Sequence, residues 1–251
     1  MSPRTAAERA SVGALALTLV TLAVWGATAS LTRSMYGMAG TMGLGVVSFV
    51  AVWTLMMAAM MLPSVAPVAL SYQRVIRNAR GVRLTLFVGG YLVVWAGAGV
   101  VAFGIGLAVN AAIHAGTGSV FAATVFALAG LYQISPLKDR CLRHCRSPVS
   151  LLMRYSSYKG RLRDAVVGAH HGAYCLGCCW ALFAVLVVLG SMNLPVMIVI
   201  GAVVLLEKRW AHGVGLSRIV ALGCVAAAVL LVVEPSLVSG FLPTEHQQME
   251  M

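Results

Sequence analysis

Residues 170–180 read HHGAYCLGCCW and open an apolar run that continues to about Gly190. Placed on a helix, His171, Cys175 and Cys178 fall at i, i+4 and i+7 on one stripe, with Cys179 one turn beyond Cys175 and His170 beside the stripe. Packing rarely calls for adjacent thiols and imidazoles, so a metal or redox role is the stronger reading. The structural alternative is a polar cap followed by small buried cysteines.

Three further groups carry soft donors. WTLMMAAMMLPS (53–64) contains two i,i+4 methionine pairs, Met56/Met60 and Met57/Met61. CLRHC places Cys141, His144 and Cys145 at i, i+3 and i+4, again on one helix face. SMYGMAGTMG adds Met35, Met38 and Met42 among glycines, so that seven of the 13 methionines lie between residues 35 and 61. Each group has a plainer reading. Methionine fills awkward gaps in helix packing, the glycine-rich segment suits a flexible loop, and Cys141–Cys145 also suits a structural zinc knuckle or solvated thiols.

Thiolate, thioether and imidazole together form the soft set that favours Cu(I). Zinc comes second, because it accepts cysteine and histidine but wants four closed ligands and has little use for methionine. Magnesium and calcium need carboxylates, and the chain holds only seven acidic residues. His114 and His212 are lone loop histidines. Met192, in the turn before Asn193, is a weaker candidate for an outer donor.

The elements that position these donors must be membrane helices. The chain has 251 residues, 60% hydrophobic and 10% charged, whereas soluble domains are about a quarter charged. Apolar runs of about 17–25 residues recur without the alternation of an outer-membrane barrel. The expected fold is all-α: one polytopic transmembrane bundle over residues 1–251, of about seven spans near 12–31, 43–70, 84–110, 118–134, 168–190, 193–207 and 217–235. Ala27-Thr28-Ala29 resembles a signal cleavage site, but the apolar run before it is long for a cleaved signal. Pro63 and Pro67 should kink the second span.

The net charge of +11 is distributed by topology. Every Lys and Arg except Arg33 falls on one side of these spans. The positive-inside rule then sets the N-terminus in the cytoplasm and the C-terminus outside. The basic residues suit anionic lipid at the bilayer surface and do not point to nucleic acid. The segment 135–167 is a cytoplasmic helical loop, with Ser135-Pro136 and Ser147-Pro148 as helix starts at about 136–146 and 148–156 and a turn at 158–160. Ala98, Ala102 and Gly106 form a small-residue stripe suited to close helix contact. Glu207, next to Lys208, reads as an interfacial ion pair. Cys224 reads as a core residue, and disulfide scaffolding is disfavoured near a reducing compartment.

At about 1.5 Å per residue, Cys175–Cys179 lie roughly 8–13 Å deep and Met60 and Met61 about 15 Å deep. Sulfur donors from two helices therefore reach a similar level.

WTLMMAAMMLPS, YQISPLKDRCLRHCRSP, HHGAYCLGCCWAL, GSMN and LLEK, in this order, resemble a bacterial family of predicted metal-binding integral membrane proteins. The likeness spans about residues 40–210, and its members are sometimes labelled copper chaperones. The resemblance implies a multi-span membrane protein with a metal site. Its implied candidates are Met56, Met57, Met60, Met61, Cys141, Cys145, His171, Cys175, Cys178, Cys179 and Glu207.

The function expected is binding of Cu(I) for transport or for delivery to a membrane cuproenzyme or a copper chaperone. Outer methionines would capture the ion, membrane methionines relay it, and Cys141 and Cys145 hand it over. No Walker A loop appears, so any transport would be passive or partner-coupled. The alternative is a membrane-embedded redox or metal-dependent enzyme built on Cys175, Cys178 and Cys179, with a helix N-terminus stabilising a thiolate.

Overall fold

The structure is a computed structural model that describes residues 3–35, 38, 40–75, 80–146, 160 and 162–234. Helices α1 (Pro3–Met35), α2 (Val46–Val75), α3 (Arg80–His114), α4 (Gly118–Gln133), α5 (Pro136–Arg146), α6 (Arg163–Val188), α7 (Leu194–Arg209) and α8 (Gly213–Val233) follow in order, with no strand among the described residues. α6 runs through the middle and touches α3, α4, α5 and α7. α2 packs on α1, α3 and α7, and α4 lies along α8.

Exposure is inverted relative to a water-soluble bundle. Val93, Val100 and Leu107 on α3 and Ile219, Leu222 and Val229 on α8 face outward, while Lys138, Glu207 and Lys208 are buried. Apolar surface outside with charge inside suits a hydrocarbon solvent. Four segments among the described residues are long and apolar enough to cross a membrane: Val46–Tyr72, Gly81–His114, Arg163–Val188 and Gly213–Val233. α4 and α5, bent by 63° at their junction, make a fifth if they act as one broken span. The sequence reading expected about seven. Length explains part of the difference: α4 and α7 hold 16 residues each, a rise of about 24 Å against a hydrocarbon core of about 30 Å.

The tightest helix contact is between α3 and α6. A Cβ added to Gly90 would lie 2.0 Å from the Ala165 carbonyl oxygen, and one on Gly168 would lie 1.9 Å from that of Phe87. The backbones meet there because neither glycine has a side chain. The expected stripe of Ala98, Ala102 and Gly106 does not make this contact: Gly106 instead meets the backbone of Gly40 in the turn before α2. Near the end of α6, Asp164 takes a two-oxygen contact from Arg83 of α3, at 2.9–3.1 Å, and a hydrogen bond from the Tyr72 hydroxyl of α2. The three longest described spans that line the centre are thus tied at one end.

The Ser135-Pro136 helix start is present as read, with Ser135 Oγ accepting from the Lys138 amide at 3.2 Å. α5 also turns one face inward against the bundle. Lys138 and Leu142 are fully buried and Cys145 nearly so, because this face packs on α6 and α7. The second helix expected at 148–156 lies outside the described residues. α2 runs through Pro63 and Pro67 as one helix. Each proline lacks an amide, which leaves the carbonyls of Ala59 and Pro63 without their usual helical donor.

Candidate metal centre

The Cys175 thiol is the hub of the buried interior. Its Sγ lies 4.0 Å from Met61 Sδ of α2, 2.9 Å from the Tyr91 hydroxyl of α3 and 2.9 Å from Lys208 Nζ of α7. Four helices thus meet at one sulfur. Lys208 Nζ also reaches Ser64 Oγ at 3.3 Å and Met61 Sδ at 3.8 Å. One turn on, the Cys178 and Cys179 thiols donate to the Cys175 carbonyl at 3.0 and 2.8 Å. Their helical spacing folds both thiols back along α6.

A second sulfur contact links α6 to α5. Cys145 Sγ lies 4.0 Å from Cys178 Sγ, far beyond the roughly 2.05 Å of a disulfide. All six cysteines are free thiols. Cys141, one turn before Cys145, presses on Gly177, where an added Cβ would lie 2.9 Å from its Sγ. The Tyr132 hydroxyl donates to the Gly177 carbonyl, so α4, α5 and α6 converge where α6 has no side chain.

α5 is held at both ends. Lys138 Nζ donates to both carboxylate oxygens of Glu207 at 2.9 and 2.8 Å, and Ser217 Oγ of α8 donates to the same carboxylate at 3.0 Å. Arg146 donates to the carbonyls of Trp210 and Ala211 at 2.6 and 3.3 Å. Glu207 is therefore an ion-pair residue, but its partner is Lys138 from a distant helix and not its neighbour Lys208. Consecutive residues on a helix point about 100° apart, which sends Glu207 toward α5 and α8 and Lys208 toward the sulfurs.

The predicted histidines divide. His171 is buried between Phe87 and Tyr91, stacked on both at 6.3 and 6.1 Å, and its Nδ1 has no hydrogen-bond partner. His170 faces the other way, 6.1 Å from His144 of α5, and both rings pack on Tyr174. The four membrane methionines also divide. Met61 meets Cys175, while Met60 lies against Gly201 of α7. Met56 and Met57 are fully buried one turn earlier along α2. In the turn between α6 and α7, Met192 accepts a contact from Thr32 Oγ1 at 3.9 Å and is buried.

Among the described residues, no three histidine, cysteine, aspartate or glutamate side chains are grouped to hold a metal ion. The donors converge in pairs, thiol with thioether and thiol with thiol, and a lysine ammonium stands among the first pair. The four nitrogen and sulfur ligands of a closed zinc site are not assembled. A thiol and a thioether within reach of one another suit Cu(I). The helix N-terminus is not what could stabilise a thiolate here. Cys175 lies about three turns inside α6, which begins at Arg163, and a helix N-terminus acts only within its first turn.

Two residues central to this geometry carried little weight in the sequence. Tyr91 was one aromatic in an apolar run. Lys208 reads in the sequence only as the neighbour of Glu207 at the interfacial end of a span, where lysines ordinarily reach out to water.

The architecture defines a class: a helical protein of membrane-spanning composition with paired sulfur donors inside. The chain belongs to the PpoB2 copper chaperone family, whose model matches residues 50–231. That region takes in every helix from α2 to α8, almost in full, and gives the protein a copper-related role. No curated protein and no solved structure matches the chain.

Proposed function

We propose that the protein binds Cu(I) inside the membrane as cargo and passes it along a line of sulfurs to a recipient protein. The observation that carries this reading is the pair of contacts Met61–Cys175 and Cys178–Cys145, each 4.0 Å, which join α2 to α6 and α6 to α5. A soft ion held by Met61 and Cys175 has Cys178 and Cys179 one turn away and Cys145 beyond them. Met35, Met38, Met42 and Met192 are the donors on the opposite side, suited to first capture. Weak successive sites of this kind suit a mobile ion, which a single very tight site would trap.

The accompanying topology has about seven crossings of a bacterial inner membrane, the N-terminus in the cytoplasm and α5 at the cytoplasmic end. Cys141, Cys145, His144 and His170 are then the donors nearest the exit. The recipient is a membrane cuproenzyme or a soluble copper chaperone.

The test is metal content. Protein purified in detergent from copper-supplemented cells should carry copper in stoichiometric amount by mass spectrometry. Cys175→Ser/Cys178→Ser protein, purified alike, should lose it. Copper unchanged in the double variant, or none in the wild type, ends this reading. Activation of a copper-free cuproenzyme in the same vesicles separates delivery from mere storage.

A further inference from the structure

Lys208 is buried, yet no carboxylate neutralises it, since Glu207 is committed to Lys138. Its ammonium is surrounded by Cys175 Sγ at 2.9 Å, Ser64 Oγ at 3.3 Å and Met61 Sδ at 3.8 Å. Taking an ammonium out of water costs several kcal/mol unless its surroundings repay it. Here the repayment comes from two sulfurs and a hydroxyl, the same soft acceptors that a copper ion would use. A positive charge already sits where the thiol and thioether lone pairs meet.

We propose that Lys208 is a tethered cation that fills the Met61–Cys175 site in the metal-free protein and is driven out when Cu(I) enters. The inference rests on the copper reading above and adds the exchange. Copper forms bonds to Cys175 Sγ and Met61 Sδ, and the ammonium's contacts to those atoms break. A proton carried by a ligating thiol leaves to solvent, as metal binding to cysteine requires. With the ammonium withdrawn and the thiol proton released, Cu(I) and the thiolate leave the buried centre neutral. The lysine keeps its charge throughout.

The geometry provides the way out. Lys208 lies in the last turn of α7, next to Arg209, Trp210, Ala211 and His212, all exposed. A lysine stem can lie along apolar surface while its head reaches the bulk, and a helix C-terminus favours a cation. The ammonium therefore has a second resting place within the length of its own side chain. The same movement clears Ser64 and removes one of the two groups at 2.9 Å from Cys175 Sγ, the other being the Tyr91 hydroxyl.

Two measurements test the exchange in full-length protein in detergent. The first is acetylation of lysines by an amine-reactive ester, read by peptide mass spectrometry with and without Cu(I), or Ag(I) as a redox-inert substitute. Lys208 should be protected in metal-free protein and modified about tenfold more when metal is bound, if the withdrawn state is otherwise a minor one. Lys138, held by Glu207, should stay protected in both. The second is Cu(I) affinity by chelator competition for Lys208→Leu, which removes the charge and brings no new metal donor. Affinity should rise about tenfold or more, because the competing occupant no longer reduces the competent fraction. Equal protection of Lys208 in metal-bound and metal-free protein, or unchanged or weaker copper binding by Lys208→Leu, overturns the exchange and leaves the copper reading standing. Absence of copper binding in the wild type overturns both. If Lys208→Leu fails to fold, the labelling of wild-type protein decides alone.

Discussion

Met61 and its neighbours on α2 separate two uses of methionine that share one sequence pattern. Met57 and Met61 are an i,i+4 pair, so local spacing treats them alike, yet only Met61 carries a contact to Cys175. Exchange of methionine for leucine in a packed interior is close to volume-conserving and usually costs less than about 1.5 kcal/mol. Met61→Leu should therefore fold with an unchanged thermal midpoint while losing a thioether. Its Cu(I) affinity, measured by competition with a chromogenic chelator, should fall about tenfold, equivalent to about 1.4 kcal/mol. An unchanged affinity would make Met61 a packing residue only. The donor types and their helical stripes were legible in the chain, because such spacing is a local property. That Cys178 faces Cys145, or that Lys208 enters the sulfur centre, was not legible: it depends on how helices distant in sequence are rotated against one another.

Helix α6 earns its central position through two small residues at one end and a line of donors further along. Gly168 and Gly90 bring α3 and α6 into backbone contact, and Tyr91, one residue after Gly90, is thereby held against Cys175. Gly168→Ala would drive a methyl group into the Phe87 carbonyl, and such overpacking costs typically about 1–3 kcal/mol. Gly97→Ala, where an added Cβ meets nothing within 4 Å, should be neutral, or stabilising by up to about 1 kcal/mol, because alanine is the better helix former. Thermal unfolding in detergent should rank them in that order; equal midpoints would mean that the α3–α6 contact does not set the stability of the bundle. The chain holds 26 glycines, and nothing local marks these two, whereas the Ser135-Pro136 start of α5 was readable because a cap is made within four residues. The burial of α5 was not readable. Its basic face suggested a cytoplasmic surface, and only the carboxylate of Glu207, far along the chain, makes a fully buried Lys138 tolerable.

Across the whole molecule, charge and hydrophobic thickness argue about the same question, the number of crossings. Every Lys and Arg except Arg33 belongs to one side of the seven spans read from sequence. Burial removes Lys138 and Lys208 from the surface charges, but the exposed Arg140, Arg143, Arg209 and Arg218 still weight the same side. With the N-terminus in the cytoplasm, an odd number of crossings puts the end of α8 outside, and an even number returns it to the cytoplasm. Alkaline phosphatase, active only outside the cytoplasmic membrane, should therefore be active when fused after residue 234, and a green fluorescent protein fused there should be dark. The reverse pattern would remove the odd count. It would also change what the sulfur contacts mean, because the proposed exit through Cys145 depends on α5 lying at the cytoplasmic face. There the reducing environment keeps thiols free, so Cys141 and Cys145 would remain able to accept a Cu(I) ion arriving from Cys178.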